Sequence, residues 1–338
     1  MMDDDTWELR SRDRQRLSRR SNKRRTKKKG SRRDSASPER LDGPTAGGVV
    51  IEANAQAGSV VLSDGRTVLA TLSSRVLSHG GLCVGDEVTV RLGVHDTAVV
   101  ERVAKRRTLL VRTHPQVRHR ELTIVANVDA IGIVSAASDP PFRPRLVDRY
   151  LVAIERSGAS PFLVINKLDE ADATRQAELD DLLEPYGALD LPTYRVSAAT
   201  GEGMNALIEA LRGQRLAFVG HSGVGKSSLV TAMGASAVVG GLAEHGRGRH
   251  TTSSSTLHRF EGGTEIIDTP GVRQFGLPKL TLRQLQQAFT DFEPFAAGCA
   301  FASCRHADEP NCAVRNAVEE GALSAARYDS YRRLLAAL

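Results

Sequence analysis

The sequence predicts a multidomain α/β protein: a small N-terminal β-barrel, an alternating strand–helix domain built on a parallel sheet, and a small helical domain around a cysteine/histidine cluster. Three observations carry this. Short β-branched runs separated by glycine-containing turns fill Gly47 to about Arg112, the pattern of an all-β module. From about Leu122 strand-like and helix-like stretches alternate, as they do in a parallel sheet with helical crossovers. Near the C-terminus Cys299, Cys304, His306 and Cys312 fall within fourteen residues.

Bulk composition narrows the function. A length of 338 residues leaves room for two or three domains, and 41% apolar residues suffice for their cores, although aromatic content is low at 4%. The formal net charge of +6 favours a polyanionic partner. Of the four cysteines Cys83 stands alone and three cluster, which fits a metal site in a reducing compartment better than a secreted disulfide framework. No apolar run approaches the ~18 residues of a membrane span, and the N-terminus lacks a signal-peptide core. The protein is therefore expected to be cytoplasmic, away from membranes, and is taken as a monomer.

Residues 1–45 form a basic arm. After the acidic start Asp3-Asp4-Asp5, the stretch from Arg10 to Arg33 is dense in Arg and Lys and nearly free of apolar side chains, so it cannot bury a core and is expected to be disordered. Contact with nucleic-acid phosphates is the favoured reading of so concentrated a run, and a solubilising tail the plainer one. The acidic start argues against a transit peptide.

Residues 46–115 are assigned to the barrel. Its expected strands are Val49–Ile51, Ser59–Leu62, Thr67–Leu72, Glu87–Leu92 and Ala98–Val103, with turns at Ser63–Gly65, Gly80–Gly81 and Val84–Asp86. Five short strands in that length suggest an OB-like barrel, whose common ligand is RNA; a protein-docking or structural module fits the composition equally well. Lys105, Arg106, Arg107 and Arg112 add positive charge just beyond it.

Residues 120–279 hold the phosphate and base chemistry. Gly220–Ser228, GHSGVGKSS, follows the apolar run Leu216–Val219 and precedes Leu229–Val230, so it joins an expected strand to an expected helix. In that setting G-x-x-x-x-G-K-[ST] is a phosphate-binding loop. Gly220, Ser222, Gly223, Val224 and Gly225 turn backbone N–H groups inward, while Lys226, Ser227 and Ser228 open a helix whose positive end faces the anion. Lys226 would reach the β- and γ-phosphates as a binding and catalytic cation, and the Ser227 hydroxyl would sit on Mg2+.

A second expected strand, Pro161–Ile165, ends in Asn166-Lys167-Leu168-Asp169. The Asp169 carboxylate can accept two hydrogen bonds from the ring N–H and exocyclic amine of guanine, a pair that adenine does not offer. Asn166 can address the guanine carbonyl side, and the Lys167 stem can cover the base. Such a site rejects adenine, because a wrong base leaves buried polar groups unpaired; an ATP-dependent enzyme is disfavoured accordingly. The expected strand Thr193–Val196 leads into Ser197-Ala198-Ala199-Thr200-Gly201, where a backbone N–H, first of all that of Ala198, can bond the guanine carbonyl. Ala130–Ser135 reads as a further strand, and Arg145–Glu155 and Met204–Leu211 read as helices.

Ala237–Ser255 is rich in Gly, Ser and Thr and contains Arg249-His250-Thr251-Thr252, the composition of a loop ordered by its ligand. Thr251 or Thr252 can coordinate Mg2+, Thr252 being the assignment made. Thr264–Ile267 is then a strand ending in Asp268-Thr269-Pro270-Gly271. Asp268 would hold the Mg2+ shell and the Gly271 N–H would sense the γ-phosphate.

Residues 280–338 are the last domain. Cys299-x4-Cys304-x-His306-x5-Cys312 offers four N/S ligands with no open position, the composition of a structural tetrahedral Zn2+ site. One zinc would fold a domain otherwise short of a core. Ala313–Glu320 and Leu323–Leu335 are expected helices, and Arg315, Arg327, Arg332 and Arg333 give them a basic face, RNA-facing or solvated.

The nucleotide loops resemble the base- and phosphate-recognition motifs of Ras-like GTPases, in a different order. There the phosphate loop comes first and N-K-x-D late; here NKLD and SAATG precede GHSGVGKSS, the Thr-rich loop and DTPG. That is a circular permutation, which a fold with neighbouring termini accommodates. With the barrel before and the Cys/His cluster after, Gly47 to the C-terminus resembles the RsgA (YjeQ) family of small-ribosomal-subunit-dependent GTPases. The most specific parts are the permuted order, GHSGVGKSS, RHTT, DTPGVRQFGL and the cysteine spacing; the basic arm lies outside. The resemblance implies an OB domain, a circularly permuted P-loop GTPase domain and a zinc-binding helical domain. It also implies GTP and GDP as ligands, and action late in maturation of the small ribosomal subunit, in contact with its rRNA and stimulated by it.

Val272 stands where Ras-like proteins place a water-orienting Gln. An aliphatic side chain cannot accept a hydrogen bond from the attacking water, so intrinsic hydrolysis is expected to be slow. His250 is the candidate to order that water once a partner orders its loop; a solvated loop residue is the alternative, and the two stay open. At the level of the whole protein the alternative to a GTP hydrolase is a GTP-gated RNA-binding scaffold whose hydrolysis is incidental.

Overall fold

Strand Thr67–Leu72 alternates exposed and buried residues along its length, so a polar face and an apolar face are written into six residues. Val50, Val60, Val68, Val90 and Val100 from five strands meet inside a common core. The computed structural model describes residues 43–338 apart from 79, 95, 115–116, 118–120, 235–236, 239–254 and 270–274. The expectations placed on arm residues 1–42, on His250, Thr251 and Thr252, and on Gly271 and Val272 lie outside the described residues.

Strands β1 (Thr45–Ala53), β2 (Ala57–Leu62), β3 (Thr67–Leu72), β4 (Glu87–Leu92) and β5 (Thr97–Val103) close in the order β1-β2-β3-β5-β4. All pairs are antiparallel except β3 with β5, the five-stranded OB-like barrel that the spacing predicts. A short helix, α1 (Ser74–Ser78), packs Val76 into the core. Cys83 is buried here, and burial, reinforced by the adjacent Asp86, pushes its thiol up to about 12, which makes it an inert packing residue.

The barrel ends sooner than expected. β6 (Leu109–Thr113) falls inside the stretch assigned to it, but the barrel is already closed by β5, and β6 pairs instead with β7 (Glu121–Ala126) in a separate antiparallel ladder. Polar groups lock the junction. Arg106 clasps the fully buried Asp86 through two bonds of 2.7 and 2.8 Å. The Asn127 amide donates to Gly85 O at 3.0 Å and accepts from Arg107 N at 2.8 Å. A Cβ on Gly85 would lie 2.0 Å from Ala126 O, so only glycine permits this approach.

The central sheet has the order β10-β9-β8-β11-β14-β13-β12. Its parallel part comprises β8 (Ala130–Ala136), β9 (Ser160–Asn166), β10 (Thr193–Arg195), β11 (Arg215–Gly220) and β14 (Glu265–Asp268). β12 (Ala237–Val238) and β13 (Thr256–Arg259) add an antiparallel edge. β8 is buried at every position, as a strand covered on both faces must be. Helices α2 (Pro144–Ser157) and α3 (Ala173–Gly187) pack over Ile131, Ile133, Leu163 and Val219. Helices α4 (Met204–Ala210) and α5 (Lys226–Ala232) cover the opposite face at Val134, Phe162, Val164 and Phe218.

Helices α6 (Leu282–Gln287), α7 (Glu293–Ala296), α8 (Ala313–Glu319) and α9 (Ala325–Ala336) build the C-terminal part around Phe289, Phe292 and Tyr331, and Val152 of α2 enters the same core. Arg327 of α9, only 2% exposed, seals that contact. It bonds Asp148 of α2 at 2.6 Å and Asp291 at 2.8 Å, and its guanidinium lies 4.4 Å from the Phe289 ring centre. Tyr186 of α3 donates to the same Asp148 at 3.0 Å. The sequence placed Arg327 on a basic outer face; instead it is a buried anchor, because two carboxylates meet it there. Among the described residues no helix is long and apolar enough to cross a membrane.

Removing only the cation leaves two buried carboxylates facing each other. Arg327→Met is expected to destabilise the protein by ~3–5 kcal/mol in urea unfolding followed by circular dichroism, whereas the triple replacement Arg327→Met, Asp148→Leu, Asp291→Leu should recover most of that loss.

Candidate functional site

Parallel strands end together, and this brings the expected loops to one edge of the sheet. The register sets Phe218 beside Asp268, Gly220 beside Val134, Ala136 beside Asn166 and Ile165 beside Arg195. The loops after β9, β10, β11 and β14 therefore leave the sheet side by side, where open α/β sheets bind their ligands.

The phosphate loop has the backbone its glycines anticipate. Gly220, Gly223 and Gly225 have φ of 149°, 91° and 88°, and Gly225 caps α5 in a left-handed conformation. A Cβ on Gly220 would meet Val134 O at 2.2 Å, and one on Gly225 would meet Asn166 Nδ2 at 2.4 Å. Ser222, Gly223, Ser227 and Ser228 are exposed along the rim, with Val224 buried beneath. Lys226 is 6% exposed and curls back over the loop, donating to Gly220 O at 3.1 Å and His221 O at 3.2 Å. Burial lowers its pKa and the nearby Asp268 pulls the other way. An ammonium held by two carbonyls in a half-dry site is ready to exchange them for phosphate oxygens.

Asn166 does something other than expected. Its side chain is 1% exposed; Nδ2 donates to Val224 O at 3.0 Å and Oδ1 accepts from Ala198 N at 3.0 Å. Both ends of the amide are thus used inside the protein, and so is the Ala198 N–H assigned to the guanine carbonyl. The residue ties the base loop, the 197–201 loop and the phosphate loop into one body. Ser197, fully buried, likewise serves a neighbour: its hydroxyl donates to Asp169 Oδ1 and accepts from Thr200 N at 3.0 Å. Asp169 itself is exposed, with its carboxylate oriented by that hydroxyl. Lys167, at φ 65°, sends its ammonium to Asp139 O at 2.9 Å.

The expected Mg2+ groups also meet. Ser227 Oγ donates to Asp268 Oδ2 at 2.8 Å, while Asp268 Oδ1 is buried without a hydrogen-bond partner. A carboxylate oxygen left unpaired in the interior is costly, and a hydroxyl–carboxylate pair with spare lone pairs suits a hard cation with oxygen ligands. His258 of β13, on the same strand pair, has a second unpaired buried atom, Nδ1. The sequence offered no signal for it, because Thr256–Arg259 was not read as a strand.

In the C-terminal part the ligand atoms of Cys299, Cys304, His306 and Cys312 all lie within 4.8 Å of one another. Cys299 Sγ and Cys312 Sγ are 4.0 Å apart, and each is 3.6 Å from His306 Nδ1. A tetrahedron with Zn–S of ~2.3 Å and Zn–N of ~2.0 Å has edges of ~3.5–3.8 Å. The cage therefore fits zinc. Burial lowers the His306 pKa against the pull of Glu309, which favours the neutral imidazole a metal needs.

Losing the Asn166 amide would orphan Val224 O and Ala198 N together. Asn166→Ala is expected to weaken GDP binding by about 2 kcal/mol or more, ~30-fold, in a fluorescence titration, with little change in the helical content of the protein.

Comparison with known proteins agrees with this geometry. The family described as RsgA GTPase matches residues 103–278. A curated relative from Chlorobaculum tepidum, "Small ribosomal subunit biogenesis GTPase RsgA", is 39% identical over 312 residues, covering 87% of this chain and 98% of its own. The crystal structure of YjeQ from Thermotoga maritima superposes with a TM-score of 0.66 at 30% identity, covering 86% of this chain and 97% of that one. The fold is shared also with YloQ, a circularly permuted GTPase, at a TM-score of 0.64 and 24% identity, over 87% and 94% of the two chains. A phosphate loop that follows its base loop in the sequence, yet touches it through Asn166, is what such a permutation requires, and the chain belongs to the RsgA GTPase family.

Proposed function

We propose that this GTPase acts in maturation of the small ribosomal subunit, holding GTP across the loops after β9, β10, β11 and β14 and hydrolysing it slowly until the subunit orders the site. The observation that carries the reading is the Asn166 bridge, which couples a guanine-type base loop to a phosphate loop carrying Lys226 and the Ser227–Asp268 pair. Asp169, steadied by Ser197, accepts the two guanine donors. Lys226 releases Gly220 O and His221 O and takes up the β- and γ-phosphates. Bound at Ser227 and Asp268, with Thr251 or Thr252 from the Thr-rich loop, Mg2+ supplies positive charge for the phosphate oxygens.

Water activation falls to residues outside the described part. Val272 cannot orient water, and His250 is assigned to do so once the subunit orders its loop, with the Gly271 N–H on the γ-phosphate. The barrel and the basic arm are assigned to rRNA, whose phosphates the net charge of +6 complements. One Zn2+ at Cys299, Cys304, His306 and Cys312 braces the C-terminal domain as a structural ion, its four ligands leaving no position for substrate. The protein works as a cytoplasmic monomer.

GTP turnover measured against titrated small and large subunits is expected to rise with small subunits only, by ~10²-fold or more, the usual worth of a positioned proton acceptor. Equal turnover with and without subunits would leave a GTP-gated scaffold as the function. His250→Ala should abolish the stimulation while GDP affinity stays within twofold of the starting protein, about 0.4 kcal/mol. Stripping the metal with a chelator should release one zinc per chain and expose α8 and α9 to proteolysis, read by metal analysis and mass spectrometry; release of no zinc would sink the metal assignment.

A further inference from the structure

Two unpaired atoms lie on one pair of strands at the edge of the nucleotide site. In the β13–β14 ladder Thr256 faces Asp268 and His258 faces Ile266. His258 and Asp268 are therefore diagonal neighbours whose side chains leave the same face of the sheet, within reach of long side chains. Asp268 Oδ2 is occupied by the Ser227 hydroxyl at 2.8 Å. Asp268 Oδ1 and His258 Nδ1 are both shut off from solvent, and neither has a hydrogen-bond partner. Unpaired buried polar atoms are uncommon in folded proteins and each asks for a partner. Here two of them, one able to accept and one able to donate or accept, share a strand pair.

We propose that His258 is a positioning residue for Asp268, acting through one bridging water between Nδ1 and Oδ1. The two atoms are not in direct hydrogen-bond contact, and a buried water that gains two polar partners satisfies both groups at once. The effect is on the carboxylate. With Oδ1 tethered on the β13 side, Oδ2 is held toward Ser227, so the two oxygens that would take the cation are set before it arrives. A cation's carboxylate ligand that is anchored through its second oxygen loses less freedom on binding, and removing such anchors from metal sites costs ~10–100-fold in metal affinity. Nucleotide contacts through Lys226 and Asp169 do not pass through His258. Its contribution therefore belongs to the cation alone.

The inference rests on Ser227 and Asp268 being the Mg2+ groups, and the test separates the two. Release of a fluorescent GDP analogue from the full-length protein is followed while free Mg2+ is titrated, and GDP affinity is measured separately in EDTA. In the unaltered protein Mg2+ slows release with a defined midpoint; if release ignores Mg2+, the cation assignment itself falls and the inference with it. His258→Phe keeps an aromatic ring but loses both nitrogens, and should raise the Mg2+ midpoint ~10-fold or more with GDP affinity in EDTA unchanged. His258→Asn, which restores a polar atom at the position of Nδ1, should recover most of the shift. A Phe variant with the original midpoint overturns the proposal, and so does a parallel fall of GDP affinity in EDTA, which would mark a packing effect. Should the Phe variant fail to fold, His258→Asn and His258→Gln carry the test: a midpoint raised in Gln and recovered in Asn supports it, and the original midpoint in both overturns it.

Discussion

A single carboxamide holds the nucleotide site together. Asn166 sits at the end of β9, yet its two polar atoms are spent on the backbones of two other loops, at Val224 and Ala198. Each such bond is worth only about 1 kcal/mol in net stability, but each orphaned partner would cost more than that in a dry interior. The requirement is spatial and indifferent to chain order. What matters is that β8, β9 and β11 are adjacent and parallel, so that their carboxyl ends meet; whether the phosphate loop comes before or after the base loop is immaterial to that. Gly225 completes the fit, since any side chain there would collide with the Asn166 amide.

The flanking modules are fastened by the same kind of contact, buried and polar. At the barrel the fastening is Asp86 with Arg106 and Asn127 with Gly85. At the C-terminal part it is Arg327 between two carboxylates. Charges taken from water tolerate little misalignment, because their mutual attraction must offset a large desolvation cost. Such contacts fix orientation more than they add stability.

What could be read from the sequence followed from how local the signal is. The phosphate loop, the NKLD turn, the cysteine spacing and all five parallel strands are short strings with fixed geometry, and the structure brings the described ones together. Strand β6 falls within the stretch assigned to the barrel because a run of β-branched residues does not say which strand it pairs with. Helix α3 went unnoticed although Leu179, Leu183 and Tyr186 sit at helical spacing, its surface being crowded with acidic residues. Strand β13 was lost in a stretch rich in Ser and Thr, and His258 with it. Asn166 and Arg327 have partners within the protein that the sequence does not reveal, for a common reason. A polar side chain next to a motif looks as though it serves the ligand or the solvent, and only tertiary structure shows a backbone carbonyl or a carboxylate waiting for it.

The cysteine cage bears on how the protein would age. Cys299 and Cys312 lie 4.0 Å apart sulfur to sulfur, with Cys304 in the same cluster. A disulfide needs ~2.05 Å, so a small rotation in a chain stripped of its ion would let an oxidant join two of the three. An ion bound there would shield those sulfurs from the oxidant as well as brace the helices. Metal supply and cellular redox balance thus compete for the same three atoms.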